Sequence, residues 1–430
     1  MRRLRRVVLV VVLLALASLA WWLLRPLGHA PVPRGASAVS AATLRDPALI
    51  ARGAYLAAAG DCAACHTRRG GQPYAGARLI PTPFGNVAAP NLTPDAATGL
   101  GDWSFEDFWQ AMHRGIGRHG EPLYPAFPYT SYTWVTRDDA LAIYAWLQSL
   151  PPVSQPPVPN QLAFPYKLRR LLVAWRALYF REAVFQPDPQ RSAAWNRGAY
   201  LVQGLGHCNE CHAPRNALGA IARDRFLGGG EIPAQHWYAS GLGMQGRGGL
   251  DGWSERDVVD LLKTGQSTRG IAFGPMADVV RQSTQHLDDN DLHAIADYLA
   301  ALPPHPAPTT TTAPFDAGRM VTQGGAIYRQ RCSDCHGSDG RGVSGIYPPL
   351  DGNVSVTEPS GINAIRAVLL GGFAPGTSAR PRPYSMPPYA QQLDDAEVAS
   401  VVSYIRQAWS NRAPAVREQD VSRYRHTPIE

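Results

Sequence analysis

The chain has 430 residues, a length that suggests about three domains, and its 45% hydrophobic content is ample for packed cores. The formal charge is +7, but Arg2, Arg3, Arg5, Arg6 and Arg25 supply five of those charges, leaving 7 − 5 = +2 for the remainder. With no basic stretch interleaved with aromatics, the composition argues against nucleic acid as a partner. Abundant Pro (38) and Gly (41) fit compact domains rich in loops.

The first predicted element is apolar. Behind the basic head Met1–Arg6, Val7 to Leu24 contains nothing more polar than Ser18. As a helix this stretch would span about 27 Å, close to a bilayer core. Trp21 and Trp22 sit at its far end, where an aromatic belt belongs, and the arginines mark the inner side. The alternative is a cleaved leader with Ser18-Leu19-Ala20 at the cut, which would leave two tryptophans directly behind it. The expectation is therefore a retained anchor over 1–28, with a tether rich in Pro, Ala and Ser from 31 to 42. Either reading exports the rest of the chain.

Cys62-Ala63-Ala64-Cys65-His66 comes next, and the pattern returns as Cys208-Asn209-Glu210-Cys211-His212 and Cys332-Ser333-Asp334-Cys335-His336. C-x-x-C-H is the attachment signal for c-type haem: two thiols form thioethers with the vinyl groups, and the adjacent His offers its imidazole to the iron. The three copies use all six cysteines. A disulfide framework would not need a His after every second Cys, and zinc sites would pair the C-x-x-C units by twos. Three covalent haems c with their iron are expected. The cofactor-binding residues are Cys62, Cys65, Cys208, Cys211, Cys332 and Cys335, with His66, His212 and His336 on the metal.

Each motif sits in a similar setting. Arg52-Gly-Ala-Tyr-Leu56, Arg197-Gly-Ala-Tyr-Leu201 and Gly325-Ala-Ile-Tyr328 each predict a helix leading into it. Residues 138–147, 291–299 and 397–405 predict closing helices, acidic at the start and apolar at 3–4 spacing. Pro-Pro at 151–152 and 303–304 stops the first two. The resulting fold class is all-α, with three consecutive cytochrome c-type domains behind the N-terminal anchor. The expected boundaries are 46–153, 191–304 and 316–415, with linkers at 154–190 and 305–315 and a tail at 416–430. Within the first linker, Leu168, Leu171, Leu172, Trp175 and Leu178 form an apolar stripe among basic residues. It reads as a helix bridging two domains or as a contact with a membrane surface or partner.

A haem that transfers electrons commonly takes Met opposite its His, which raises its potential. Met276 in Gly274-Pro-Met-Ala277 and Met386 in Tyr384-Ser-Met-Pro-Pro-Tyr389 precede the second and third closing helices and are the expected sixth ligands. The first segment departs from this. Its equivalent stretch, Leu123 to Tyr129, carries Phe127, which cannot bind iron, and Val135 cannot either. Met112, His113 and His119 are the remaining candidates, and a five-coordinate iron is the other possibility. Arg215, just after the second motif, could meet a propionate or be plain structure, and His207 reads as local packing. Gly241-Leu-Gly-Met-Gln-Gly246 fits a dinucleotide fingerprint, but no βαβ unit surrounds it.

The chain resembles the triple-haem cytochrome c subunit of membrane-bound bacterial dehydrogenases that oxidise alcohols, gluconate and other polyols, or aldehydes. The carriers include Pro90-Asn-Leu-Thr-Pro-Asp95, Gly204-Leu-Gly-His-Cys208, Cys211-His-Ala-Pro-Arg-Asn216, Tyr347-Pro-Pro-Leu350 and Met386-Pro-Pro-Tyr389. The likeness runs from about residue 48 to 425. It implies an electron-transfer subunit, and the exporting N-terminal segment together with covalent haem attachment gives the periplasmic face of the inner membrane as the expected address. Such a subunit takes electrons from a separate catalytic subunit holding flavin, pyrroloquinoline quinone or molybdopterin. It passes them to ubiquinone or an oxidase and has no dehydrogenase activity alone. The alternative is an enzyme whose open first haem acts on peroxide or a small gas.

Overall fold

The structure is a computed structural model that describes residues 39–244, 249–304 and 317–427, together with scattered positions between 3 and 21. Most of the expected anchor and the 305–315 linker therefore lie outside the described residues. Among the described residues no helix is long and apolar enough to cross a membrane. The chain divides into two compact units, residues 1–53 with 66–184, and residues 54–65 with 185–430.

In chain order the elements up to residue 184 are α1 (Pro47–Ala59) and α2 (Cys62–His66), of which residues 54–65 belong to the second unit, then β1 (Leu79–Thr82), β2 (Gly85–Ala88), α3 (Phe105–Arg114), α4 (Arg137–Ser149), β3 (Gln161–Leu162) and α5 (Leu171–Tyr179) of the first. Ser104 and Asp107 close a capping box at the start of α3, and Thr136 caps α4. Phe105 and Phe108 of α3 pack on Tyr144 of α4, with ring centroids 5.8 and 5.5 Å apart. The α1–α4 crossing depends on Gly53. A Cβ there would stand 1.9 Å from the Ala142 carbonyl oxygen, so only glycine permits the approach. Beside it, Arg52 Nε donates to Asp139 Oδ1 at 2.9 Å.

The second unit repeats this crossing twice. Its elements after α5 are α6 (Ala193–Tyr200), β4 (Gly230–Ile232), β5 (Trp237–Ala239), α7 (Glu255–Thr264), α8 (Pro275–Gln282), α9 (Asp289–Ala300), α10 (Gly318–Arg331), α11 (Ser333–His336), α12 (Ile362–Leu370), β6 (Gly372–Phe373), β7 (Ser385–Met386), α13 (Asp395–Gln407) and α14 (Glu418–Arg425). Gly198 on α6 meets the Ala294 carbonyl of α9, and Gly324 on α10 meets Ser400 of α13, at 1.9 and 2.0 Å for an added Cβ. The third crossing thus uses Gly324, one residue before the Gly325 expected from the sequence. Arg197 pairs with both oxygens of Asp291, each contact 2.7 Å, whereas in the first unit both Arg52 nitrogens converge on Asp139 Oδ1. The core around α10, α12 and α13 is built from residues such as Tyr328, Ile365, Leu369, Val398 and Val401.

The all-α expectation needs amendment, because short antiparallel strands accompany the helices. β1, β2 and β3 form one sheet, β4–β5 a second and β6–β7 a third. They are only two to four residues long and lack the alternation that marks a strand in sequence. The expected tail also differs. Its α14 buries Val421 and Tyr424, and Arg425 donates to Asp395 and to the carbonyl of Leu393. In the stripe around α5, Leu172 is buried and Trp175 half-buried, while Leu178 is 68% exposed, so the stripe is only partly covered.

Candidate functional site

The three C-x-x-C-H motifs share one hydrogen-bond arrangement. His66 Nδ1 lies 2.8 Å from the Pro90 carbonyl oxygen, His212 Nδ1 2.6 Å from that of Ser240, and His336 Nδ1 3.1 Å from that of Pro348. A backbone carbonyl can only accept, so each Nδ1 carries the proton and donates it. Nε2 is then the lone-pair nitrogen, the form an iron ligand requires. Burial pulls all three imidazoles below their ordinary pKa, which favours the same neutral form.

The strands position two of these acceptors. β2 ends at Ala88, two residues before Pro90, and β5 ends at Ala239, next to Ser240. In the first unit, buried Asn91 clamps the loop. Its amide nitrogen donates to Val153 O at 2.7 Å, and its Oδ1 accepts from the Thr93 backbone at 2.9 Å. The carbonyl partners escape sequence reasoning because any residue has a carbonyl. The only available signal was their place in the Pro90–Asp95 and Tyr347–Leu350 stretches.

All six cysteines are half-buried free thiols. Burial pushes Cys62 and Cys208 up to about 12, and Cys211 and Cys332 up to about 11. Paired thiols that form no disulfide, next to an imidazole with its Nε2 available, fit a covalent haem c. They would supply the two thioethers and one axial ligand.

The second motif is reached differently from the first. α6 gives way at Tyr200 to a π-helical turn over Leu201–Leu205. His207 then adopts a left-handed conformation (φ 37°) and Cys208–Glu210 form a 3₁₀ turn. The reason is length. From the crossing glycine to the first cysteine there are 62 − 53 = 9 residues in the first segment and 208 − 198 = 10 in the second. A π turn absorbs one extra residue without unwinding the helix. His207 Nε2 lies 3.4 Å from Gly60 O, inside the second unit. Arg215 does not stand free for a propionate. It is held by Glu210 Oε2 at 2.6 Å and by the carbonyls of Glu210 and Gly219.

The candidate sixth ligands sit at element starts and edges. Met276 is the second residue of α8, just after Gly274, and is half-buried. Met386 pairs with Gly372 across β6–β7 and packs against the core of α10, α12 and α13. In the first unit Phe127 lies against Tyr132, with centroids 5.4 Å apart. Met112 is buried on α3 at 4% exposure, on the helix that packs its phenylalanines against Tyr144. His113 stacks on Trp109 at 4.3 Å and directs Nε2 toward Glu182 Oε1 at 3.3 Å, while His119 is exposed.

Three helix pairs crossing at glycine, each leading to paired thiols and an Nδ1-anchored imidazole, define a c-type cytochrome. The cytochrome c family profile matches residues 50–151 and 321–409, and the second motif lies between these stretches. The gluconate 2-dehydrogenase cytochrome c subunit of Pantoea cypripedii is 39% identical over 395 residues, 88% of this chain and 90% of that relative. The alcohol dehydrogenase (quinone) cytochrome c subunit of Gluconobacter oxydans is 37% identical over 423 residues, 95% and 88% of the two chains. The fructose dehydrogenase cytochrome subunit of Gluconobacter japonicus is 35% identical over 405 residues, 87% of this chain and 82% of that relative. The chain belongs to the family of cytochrome c subunits of bacterial dehydrogenases, and covalent haem c with its iron comes with that membership.

Proposed function

We propose that the chain carries three haems c and relays electrons from a dehydrogenase catalytic subunit to membrane ubiquinone or a terminal oxidase. The observation that carries this is the threefold repeat of paired thiols beside an imidazole whose Nδ1 is tied to a backbone carbonyl. When bound, haem iron supplies reversible one-electron chemistry. The protein's part is to hold it. Cys62 with Cys65, Cys208 with Cys211 and Cys332 with Cys335 fix the porphyrin edge. The carbonyls of Pro90, Ser240 and Pro348 orient His66, His212 and His336 and raise their basicity. Met276 and Met386 offer thioethers that raise the potential of the second and third haems. The domains expected at 46–153, 191–304 and 316–415 each carry one haem. Val7–Leu24 anchors the chain, with the remainder on the periplasmic face. The partner's cofactor is flavin, pyrroloquinoline quinone or molybdopterin, and the chain alone does not oxidise substrate.

The test is a haem count by pyridine haemochrome and intact mass, followed by reduction with the co-expressed dehydrogenase and its substrate. Three haems per chain, reduced only when the partner is present, is the expected result. Substrate-dependent reduction by the isolated chain would refute the relay.

Phe127 favours a second reading, in which the first haem is open and acts on peroxide or a small gas. Phe127, which packs on Tyr132, cannot bind iron, and His113 is engaged with Trp109 and Glu182, so Met112 and His119 are the side chains left to close that haem. Carbon monoxide added to the dithionite-reduced protein should then shift the spectrum of one haem in three. An unchanged spectrum would mean six ligands on every iron and would end this reading.

A further inference from the structure

Arg366 is among the most buried side chains of the second unit, at 1% exposure. It lies on α12, within the segment that follows the third motif, but its guanidinium stacks over a ring belonging to the segment of the second. Cζ is 4.6 Å from the centroid of Trp237 on β5. The contact is clamped one turn earlier on the same helix. Asn363 accepts from the Tyr238 backbone nitrogen at 2.9 Å and donates to the Tyr238 carbonyl at 2.8 Å. Two hydrogen bonds to one residue fix both the height and the rotation of α12 against β5.

Trp237 is linked to both segments expected to offer ligands to the second haem's iron. Downstream, β5 runs directly into Ser240, whose carbonyl holds His212 Nδ1. On its ring side, Trp237 lies against Gly274, where an added Cβ would be 2.9 Å from Trp237 Cε2. Gly274 leads through Pro275 to Met276. A fixed cation therefore sits on the residue that ties the His212 and Met276 segments together, in surroundings from which water is excluded.

Electrostatics then gives a direction. Reduction adds an electron to the haem, and a nearby positive charge stabilises the reduced state more than the oxidised one. The interaction is strong where the effective dielectric is low. A guanidinium suits this role because it stays charged when buried and stacks on aromatic faces. We propose that Arg366 is a positioning residue that raises the reduction potential of the second haem, so that the third segment helps set the potential of its neighbour. The inference rests on the reading that residues 208–276 hold a haem.

The experiment is a spectroelectrochemical titration of the membrane-extracted full-length holoprotein, with haem counted first. Arg366→Met removes the charge and keeps most of the packing. It should lower one of three midpoint potentials and leave the other two in place. Arg366→Lys keeps the charge and should retain most of the potential. Asn363→Ala loosens the clamp without removing a charge and should give a smaller fall at the same haem. If Arg366→Met fails to keep three haems, Arg366→Gln is measured in its place. Unmoved potentials with three haems present, or equal falls in the Met and Lys variants, would overturn the inference alone. Two haems in the wild-type chain would overturn the underlying reading and the inference with it.

Discussion

Met276 and Met386 reach their places by different local means, and this governs what their loss should do. Met276 is the second residue of α8, behind Gly274, whose φ of 56° and ψ of −141° suit glycine, so its thioether is presented by a turn that cannot easily be rebuilt. Met386 stands on a two-residue strand paired with Gly372 and leans on an apolar core. Replacing either by Ala should leave the thioethers, and therefore the haem, in place. The sixth position of one iron would be vacated. Each variant should gain one carbon monoxide-reactive haem beyond the wild-type number, and the potential of that haem should fall, because the thioether favours ferrous iron. Difference spectra with carbon monoxide, read beside a redox titration, measure both. A variant that keeps the wild-type spectrum would show that the residue is core packing and not a ligand.

At the scale of elements, the repeated glycine crossing is the feature most exposed to substitution. In Gly198→Ala the new methyl would meet the backbone of Ala294, which cannot swing aside as a side chain could, so α6 and α9 must separate. The cost should be about 1–3 kcal/mol or more, seen as a lower Tm. The same crossing carries a charge pair with a pH signature. Burial drives the Asp291 carboxyl up, but hydrogen bonds from Arg197 and Tyr55 overcome it and leave its pKa below the usual carboxylate range. A depressed folded pKa means that the stabilisation is complete above the unfolded value, about 3.9, and is lost as pH falls through the folded one. Arg197→Ala should therefore cost about 2 kcal/mol at neutral pH, the scale of hydrogen bonds to a charged group. That difference should shrink below about pH 4, as acid unfolding of the two proteins would show. The leading and closing helices of these crossings were legible because their caps, periodicity and Pro-Pro stops are local. The strands were not, being too short to alternate. The π turn before Cys208 left only a one-residue change in spacing, visible once Gly53 and Gly198 are known to be equivalent. Gly324 was missed for the same reason, since Gly325 beside it offers the same letter and only the contact with Ser400 separates them. At the site, the cysteines and histidines could be read directly, whereas the carbonyls that orient the imidazoles and the stacking of Arg366 on Trp237 join residues far apart in sequence.

For the whole molecule, the proposed transfer to ubiquinone would require a protein with modest net charge to be kept beside a lipid-soluble acceptor. Removing five N-terminal arginines leaves a charge of only +2 before the haem propionates are counted, so attraction to anionic lipid is too weak to hold the body at the surface. The proposed hold is Val7–Leu24. An 18-residue apolar helix is about 27 Å long, and its insertion is effectively irreversible on the timescale of turnover. A chain begun at residue 29 behind a cleavable leader should still be exported and should still acquire its haems, because every cysteine lies beyond the deletion. It should appear in the soluble periplasmic fraction, whereas the full-length chain should resist carbonate extraction. Paired with its dehydrogenase, the shortened chain should reduce a water-soluble acceptor at the full-length rate and lose most of its turnover with membrane ubiquinone. Shared loss with both acceptors would place the defect in docking of the catalytic subunit. If the shortened chain stayed on the membrane, some other surface would have to hold it, and the half-covered face of α5, with Leu178 and Val173 exposed, is where substitution would then begin.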